Sequence, residues 1–106
     1  MTQGDVYWYK FKEPNKNRPV LLLTRTNLIP YLNALTVAEI TSTIRGNHSE
    51  IWLDKSDGMA EECAVNLANI QTVAKDKLGS YITHLSPEKM GELRKSIEFI
   101  FNLKNL

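Results

Sequence analysis

Residues 19–25, Pro-Val-Leu-Leu-Leu-Thr-Arg, are a continuous apolar run that follows a polar loop. A short run without alternation marks a strand covered on both faces. Any fold that contains it must therefore place apolar material on both sides of a sheet. Pro19 suits the strand's first position, where a missing N–H is tolerated.

The rest of the first 85 residues reads as short strands separated by turn signals. Residues 4–11 are rich in β-formers, with Tyr7, Tyr9 and Phe11 on one face and Val6, Trp8 and Lys10 on the other. Residues 27–34 are expected to form a short helical turn, 36–44 a strand and 50–53 a short strand. Residues 63–67 and 70–74 read as two strands with a tight bend near Asn69, and 81–85 as a short strand or connector. Gly46-Asn47 and residues 55–58 are turns. The period then changes. Ser86-Pro87-Glu88 combines a hydroxyl N-cap, a first-turn proline and an acid near the positive end of the helix dipole. Met90, Leu93, Ile97, Ile100 and Phe101 recur at helical spacing, with Lys89, Glu92, Arg94, Lys95 and Glu98 on the opposite face. The helix is expected over 87–102. The fold class predicted is mainly β with a terminal α-helix: a small, strongly bent antiparallel sheet or barrel with the helix packed against it.

A length of 106 residues sets a single domain, 1–106, with a core modest enough to benefit from a partner that covers apolar surface. No apolar stretch approaches the roughly 20 residues needed to span a membrane. The N-terminus lacks a basic n-region and apolar run, so the cytoplasm is the expected location. Cys63, the one cysteine, cannot form an internal disulfide and reads as a buried small hydrophobe. His48 and His84 are scattered and read as surface or turn histidines. There is no phosphate-cradling glycine loop, dinucleotide fingerprint, zinc spacing or close carboxylate cluster. No metal and no cofactor are expected.

Net charge is only +1, but it is unevenly spread. Residues 10–25 carry Lys10, Lys12, Lys16, Arg18 and Arg25 against Glu13; residues 50–62 carry Glu50, Asp54, Asp57, Glu61 and Glu62 against Lys55. These segments fit a polyanion site and its opposite face, although charge alone favours two solvated loops. Three features add chemistry. Glu13 and Arg18 lie five apart on a loop entering the buried strand, and arginine's planar fork suits phosphate oxygens. Thr41, Ser42 and Thr43 put hydroxyls at the end of an apolar strand, where they can donate to a phosphate. Trp8 and Lys10 share a face, an aromatic beside a cation for an unstacked base. Each feature alone is also ordinary strand or core chemistry.

Together they resemble the MazF/PemK family. Gly4-Asp5-Val6-Tyr7 opens the match. Glu13, four residues, then Arg18-Pro19-Val20-Leu21 is similar to the family's acid, Arg-Pro and apolar strand. Val37-Ala38-Glu39-Ile40-Thr41-Ser42 stands for its strand ending in Thr-Ser, Asn69-Ile70-Gln71-Thr72-Val73 for its Gln-x-Arg-Thr-Ile segment, and residues 85–103 for its terminal helix. The resemblance implies an SH3-like, CcdB/MazF-type small β-barrel acting as a homodimer. It also implies a type II toxin: a metal-independent, sequence-specific endoribonuclease on single-stranded RNA, silenced by a cognate antitoxin. The expected products are a 2′,3′-cyclic phosphate and a 5′-hydroxyl. Arg18 would stabilise charge and is a candidate proton donor to the leaving group. Thr41 would donate to a phosphoryl oxygen, and Glu13 is a candidate general base. Lys12, Lys16, Asn17, Ser42, Trp8 and Lys10 would bind the RNA. The chain departs from the family in its shorter loop before Arg18, in Gln71 where arginine is usual, and in Ala68 where some members carry an acidic base. The alternative is a non-catalytic barrel, either a degenerate binder of RNA or protein or a CcdB-like gyrase inhibitor. The second type relies on a terminal Trp-Gly-Ile that this chain lacks.

Overall fold

A computed structural model describes residues 1–12 and 16–106. The strands are β1 (Asp5–Lys10), β2 (Asn17–Leu22), β3 (Ala34–Thr41), β4 (Glu50–Leu53), β5 (Cys63–Ala74) and β6 (Leu78–His84), followed by helix α1 (Pro87–Phe101). Short 3₁₀ helices fill Thr26–Tyr31, Lys55–Asp57, Lys75–Lys77 and Leu103–Asn105. Among the described residues the sheet runs β4-β5-β3-β2-β1-β6, with each neighbouring pair antiparallel.

The apolar run does what its lack of alternation requires. Leu21 enters a layer with Val6, Ala38, Ile40, Ile51, Leu53, Val65 and, from the α1 side, Leu85 and Leu93. Its neighbours Val20 and Leu22 enter the opposite layer with Tyr7, Ile29, Leu35, Val37 and Val73. The sheet is thus covered on both faces at its centre. β2 starts two residues earlier than expected, so Pro19 lies within it. There β2 pairs with β1 through Trp8, while its ladder with β3 begins only at Val20, so the missing N–H breaks no β3 bond.

Two expectations need correction. Residues 63–74 form one strand, not two. Ala38 pairs with Ile70 and Glu39 with Asn66, so 67–69 are extra residues in a bulge opposite a single step of β3. The Asn66 side chain accepts the Ala68 N–H at 3.0 Å, which stabilises the detour. The helical stripe stops short of Phe101, which is 47% exposed, while Met90, Ile97 and Ile100 pack inward. The bent, barrel-like sheet is as expected, and it is open: β4 and β6 are both edges. They meet through the turn after β4, where Thr83 Oγ1 donates to the Asp57 carbonyl at 3.0 Å. Gly58 completes that turn at φ +94°, and a Cβ there would run into the Thr83 hydroxyl.

The helix begins as its signature requires: Ser86 Oγ accepts the Lys89 N–H at 3.2 Å. It ends at Asn102, whose left-handed φ of 54° caps the last turn. Lys89 Nζ also donates to the Trp52 carbonyl at 2.8 Å, fastening α1 to β4. Among the described residues no helix is long and apolar enough to cross a membrane.

Among the described residues Asp5 is the buried charged side chain, 6% exposed. Burial would raise its carboxyl, but bonds from the Thr2 N–H (2.8 Å), the His84 ring (2.9 Å), the Thr2 hydroxyl (2.9 Å) and the Tyr7 hydroxyl (3.1 Å) hold it below the ordinary 3.8. Burial first, and then the Asp5 charge, pushes the Tyr7 phenol up to about 12. A carboxyl depressed by folding stabilises the native state above its unfolded value, and that contribution is lost as pH falls through the folded one. Stability should therefore drop in acid below 3.8 in wild type, and Asp5→Asn should flatten that part of the profile. Denaturant melts across acid pH check this; equal slopes in both proteins would refute it.

Candidate active site

Two clefts meet at Arg18. The first, about 570 Å³, is lined by Trp8 of β1, Lys16, Asn17, Arg18 and Pro19 at the start of β2, and Ile40, Thr41 and Ser42 at the end of β3. Its far wall is Gly58 to Glu61 with Cys63 and Ile82. The second, about 500 Å³, is lined by Tyr9, Phe11, Lys12, Lys16, Arg18, Glu39, Gln71, Thr72 and Val73.

Six of the nine residues singled out in the sequence border the first cleft: Trp8, Lys16, Asn17, Arg18, Thr41 and Ser42. The register explains the meeting of Arg18 and Thr41. From the Val20–Glu39 pair, Arg18 is two residues back along β2 and Thr41 two residues on along antiparallel β3. Two residues preserve the face of a strand. Lys12 borders the second cleft, and Lys10 is exposed and lines neither. Glu13 lies outside the described residues.

The Thr41 hydroxyl accepts the Thr43 N–H at 3.1 Å. That bond turns the chain out of β3 and leaves the hydroxyl's own proton to donate elsewhere. Arg18 Nε lies 3.3 Å from Glu39 Oε1, with the two side chains 29% and 18% accessible. Asn69 Nδ2 donates to the second Glu39 oxygen at 2.7 Å, a reach that the bulge in β5 makes possible. Sequence reasoning missed Glu39 and Asn69. The available signal was a lone acid in the apolar stretch of β3, two residues before Thr41 and so on its face.

The acidic segment is not on the opposite side of the molecule. The loop after β4 folds back so that Glu61 faces the cleft that holds Arg18 and Lys16. Cys63 borders this cleft but is 5% exposed, and burial, helped by the charges of Glu61, Asp57 and Asp54, pushes its thiol up to about 11. It stays protonated near neutrality and packs as a small hydrophobe. His48 stacks against Phe99, His84 binds Asp5, and neither lines either of these two clefts. Among the described residues no three His, Cys, Asp or Glu side chains gather.

A family model described as "PemK-like, MazF-like toxin of type II toxin-antitoxin system" matches residues 2–101. The chain belongs to this family. Among its relatives, endoribonuclease MazF3 of Mycobacterium tuberculosis is 37% identical over 89 residues, 84% of this chain and 86% of the relative. Probable endoribonuclease MazF5 of the same organism is 34% identical over 97 residues, 91% and 88% of the two chains. Among solved structures, the Mycobacterium tuberculosis toxin MazF-mt6 superposes with a TM-score of 0.84 at 33% identity, covering 92% of this chain and 96% of that one. The MazF/PemK fold therefore accounts for the open, helix-backed sheet, and the Arg18 cleft is a feature of a toxin of this family.

Proposed function

We propose that this chain is the toxin of a type II toxin–antitoxin pair and an endoribonuclease that cuts single-stranded RNA. The observation that supports it most directly is the presence of Arg18 and Thr41, from two adjacent strands, on one cleft in a MazF/PemK toxin. The ribose 2′-hydroxyl attacks the adjacent phosphorus, and the 5′-oxygen departs. The products are a 2′,3′-cyclic phosphate and a 5′-hydroxyl. The substrate supplies its own nucleophile, so the step needs no metal-activated water. Negative charge grows on the phosphoryl oxygens in the transition state, and a guanidinium with a hydroxyl aimed there stabilises it more than the ground state. Trp8 offers a stacking face, and Lys16, Asn17 and Ser42 offer donors to the RNA backbone. Lys12 and Lys10 extend the positive charge, and Glu13 follows Lys12 in the sequence.

Relatives named as endoribonucleases support the activity. One solved structure of this fold is that of an endoribonuclease in complex with its cognate antitoxin from a Mycobacterial species. An antitoxin is the expected partner here too, with a single domain acting as a homodimer in the cytoplasm.

The test is incubation of the purified protein with a long single-stranded RNA in EDTA, reading the chemistry of the fragment ends. Discrete cuts ending in a 2′,3′-cyclic phosphate are expected. Failure of folded protein to cut any of several RNAs would refute the activity, and rescue only by Mg²⁺ would refute the mechanism.

A further inference from the structure

Glu39 has no part in the chemistry described so far, yet among the described residues it is the carboxylate in contact with Arg18. It stands two residues before Thr41 on β3, on the same face of the strand. Each of its oxygens already has one partner, Arg18 Nε at 3.3 Å and Asn69 Nδ2 at 2.7 Å. An ionised carboxylate offers about four lone-pair sites, so it can still accept from a substrate hydroxyl. The two clefts share Arg18 and Lys16 in their linings. Thr41 borders one cleft and Glu39 the other.

We infer that Glu39 is the general base of RNA cleavage and that the second cleft seats the nucleoside whose 2′-hydroxyl attacks. This rests on the endoribonuclease reading above. In phosphoryl transfer the attacking and leaving oxygens lie roughly in line through phosphorus. A phosphate held at Arg18 therefore needs room for the groups on both of its sides, and two clefts border Arg18. The Glu39 carboxylate takes the proton of the 2′-hydroxyl as O2′ bonds to phosphorus. The P–O5′ bond breaks, and the 5′-oxygen leaves with the electron pair and takes a proton from water. Glu39 then returns its proton to solvent. Asn69 fixes the base from the bulge in β5, while Tyr9 and Phe11, packed edge to face at 4.8 Å, give the cleft an aromatic wall. Among the described residues, the charged and titratable groups that line this cleft with Glu39 are Arg18 of β2, Lys12, Lys16 and Tyr9 of β1.

The experiment is single-turnover cleavage of one mapped RNA by wild type, Glu39→Gln, Glu39→Asp and Glu13→Gln, from mildly acidic to mildly alkaline pH. Binding is measured in parallel with the same RNA carrying a 2′-deoxy nucleotide at the cut. Glu39→Gln keeps the size of the side chain and an acceptor for Arg18. It should be slower by about 10²-fold or more at neutral pH, bind RNA within a few-fold of wild type, and lose the fall in rate toward acid. Glu39→Asp should recover part of the rate. Near wild-type cleavage by Glu39→Gln overturns the inference. So does a slow Glu39→Gln that keeps the acid limb, which would make Glu39 a positioning residue for Arg18, or loss of that limb in Glu13→Gln instead. Wild type that cuts no RNA overturns the endoribonuclease reading itself.

Discussion

Arg18→Ala should slow RNA cleavage by about 10³-fold while leaving the protein folded, since deletion of one preorganised transition-state donor costs roughly 10²–10³ in rate. The guanidinium also carries a full charge, which places it at the upper end. Its contact with Glu39 is made at Nε, leaving the terminal amino groups for phosphoryl oxygens. The fold depends on it little. Arg18 is partly exposed at the start of β2, and ion pairs in such settings contribute about 0–1 kcal/mol against a total stability of about 5–15 kcal/mol. Arg18→Lys should recover only part of the rate, because an ammonium is a point charge without the planar fork. Single-turnover cleavage beside thermal melts checks this. Cleavage by Arg18→Ala at near wild-type rate would remove Arg18 from the chemistry, and a collapsed melting curve would recast it as a structural residue.

The parts of this molecule legible in the sequence are those set by local period. The uninterrupted run at the start of β2 required two covered faces, and Leu21 on one side with Val20 and Leu22 on the other supply them. The Ser86-Pro87 signature placed the start of α1 to the residue. What escaped depended on distant pairing. Asn66 makes the same local turn bond whether the chain reverses into a hairpin or bulges and continues. Continued pairing with β3 on both sides of 67–69 decides between them, and nothing local encodes it. Phe101 kept the helical period, but the neighbouring Ile100 takes the inward position and Phe101 stays exposed. The same limit applied at the site. Arg18 and Thr41 were visible one by one. That Glu39 lies against Arg18, and that Glu61 turns into their cleft, follows from register and from the path of the loop after β4.

Leu35→Ala tests the opposite case, a residue that holds the fold and touches no chemistry. Leu35 is fully buried on β3, opposite Val73, in the layer with Tyr7, Val20, Leu22, Ile29 and Val37. Removing a buried leucine side chain costs its transfer energy plus the cavity left behind, about 2–5 kcal/mol. That is a large share of the stability of a domain this size, and at about 4–8 °C per kcal/mol it should lower Tm by roughly 10–30 °C. Leu35 is six residues from Thr41, about 20 Å along an extended strand, so the folded fraction should cut RNA at close to the wild-type rate. Sites this far apart act independently, so the stability loss should add to that of Arg18→Ala within about 0.5 kcal/mol. Melts and cleavage rates of the single and double variants at one protein concentration check both claims. A shift of only a few degrees would mean that the layer under residues 26–31 is not a working core. A folded Leu35→Ala that has lost cleavage would mean that β3 transmits strain from its buried end to the cleft.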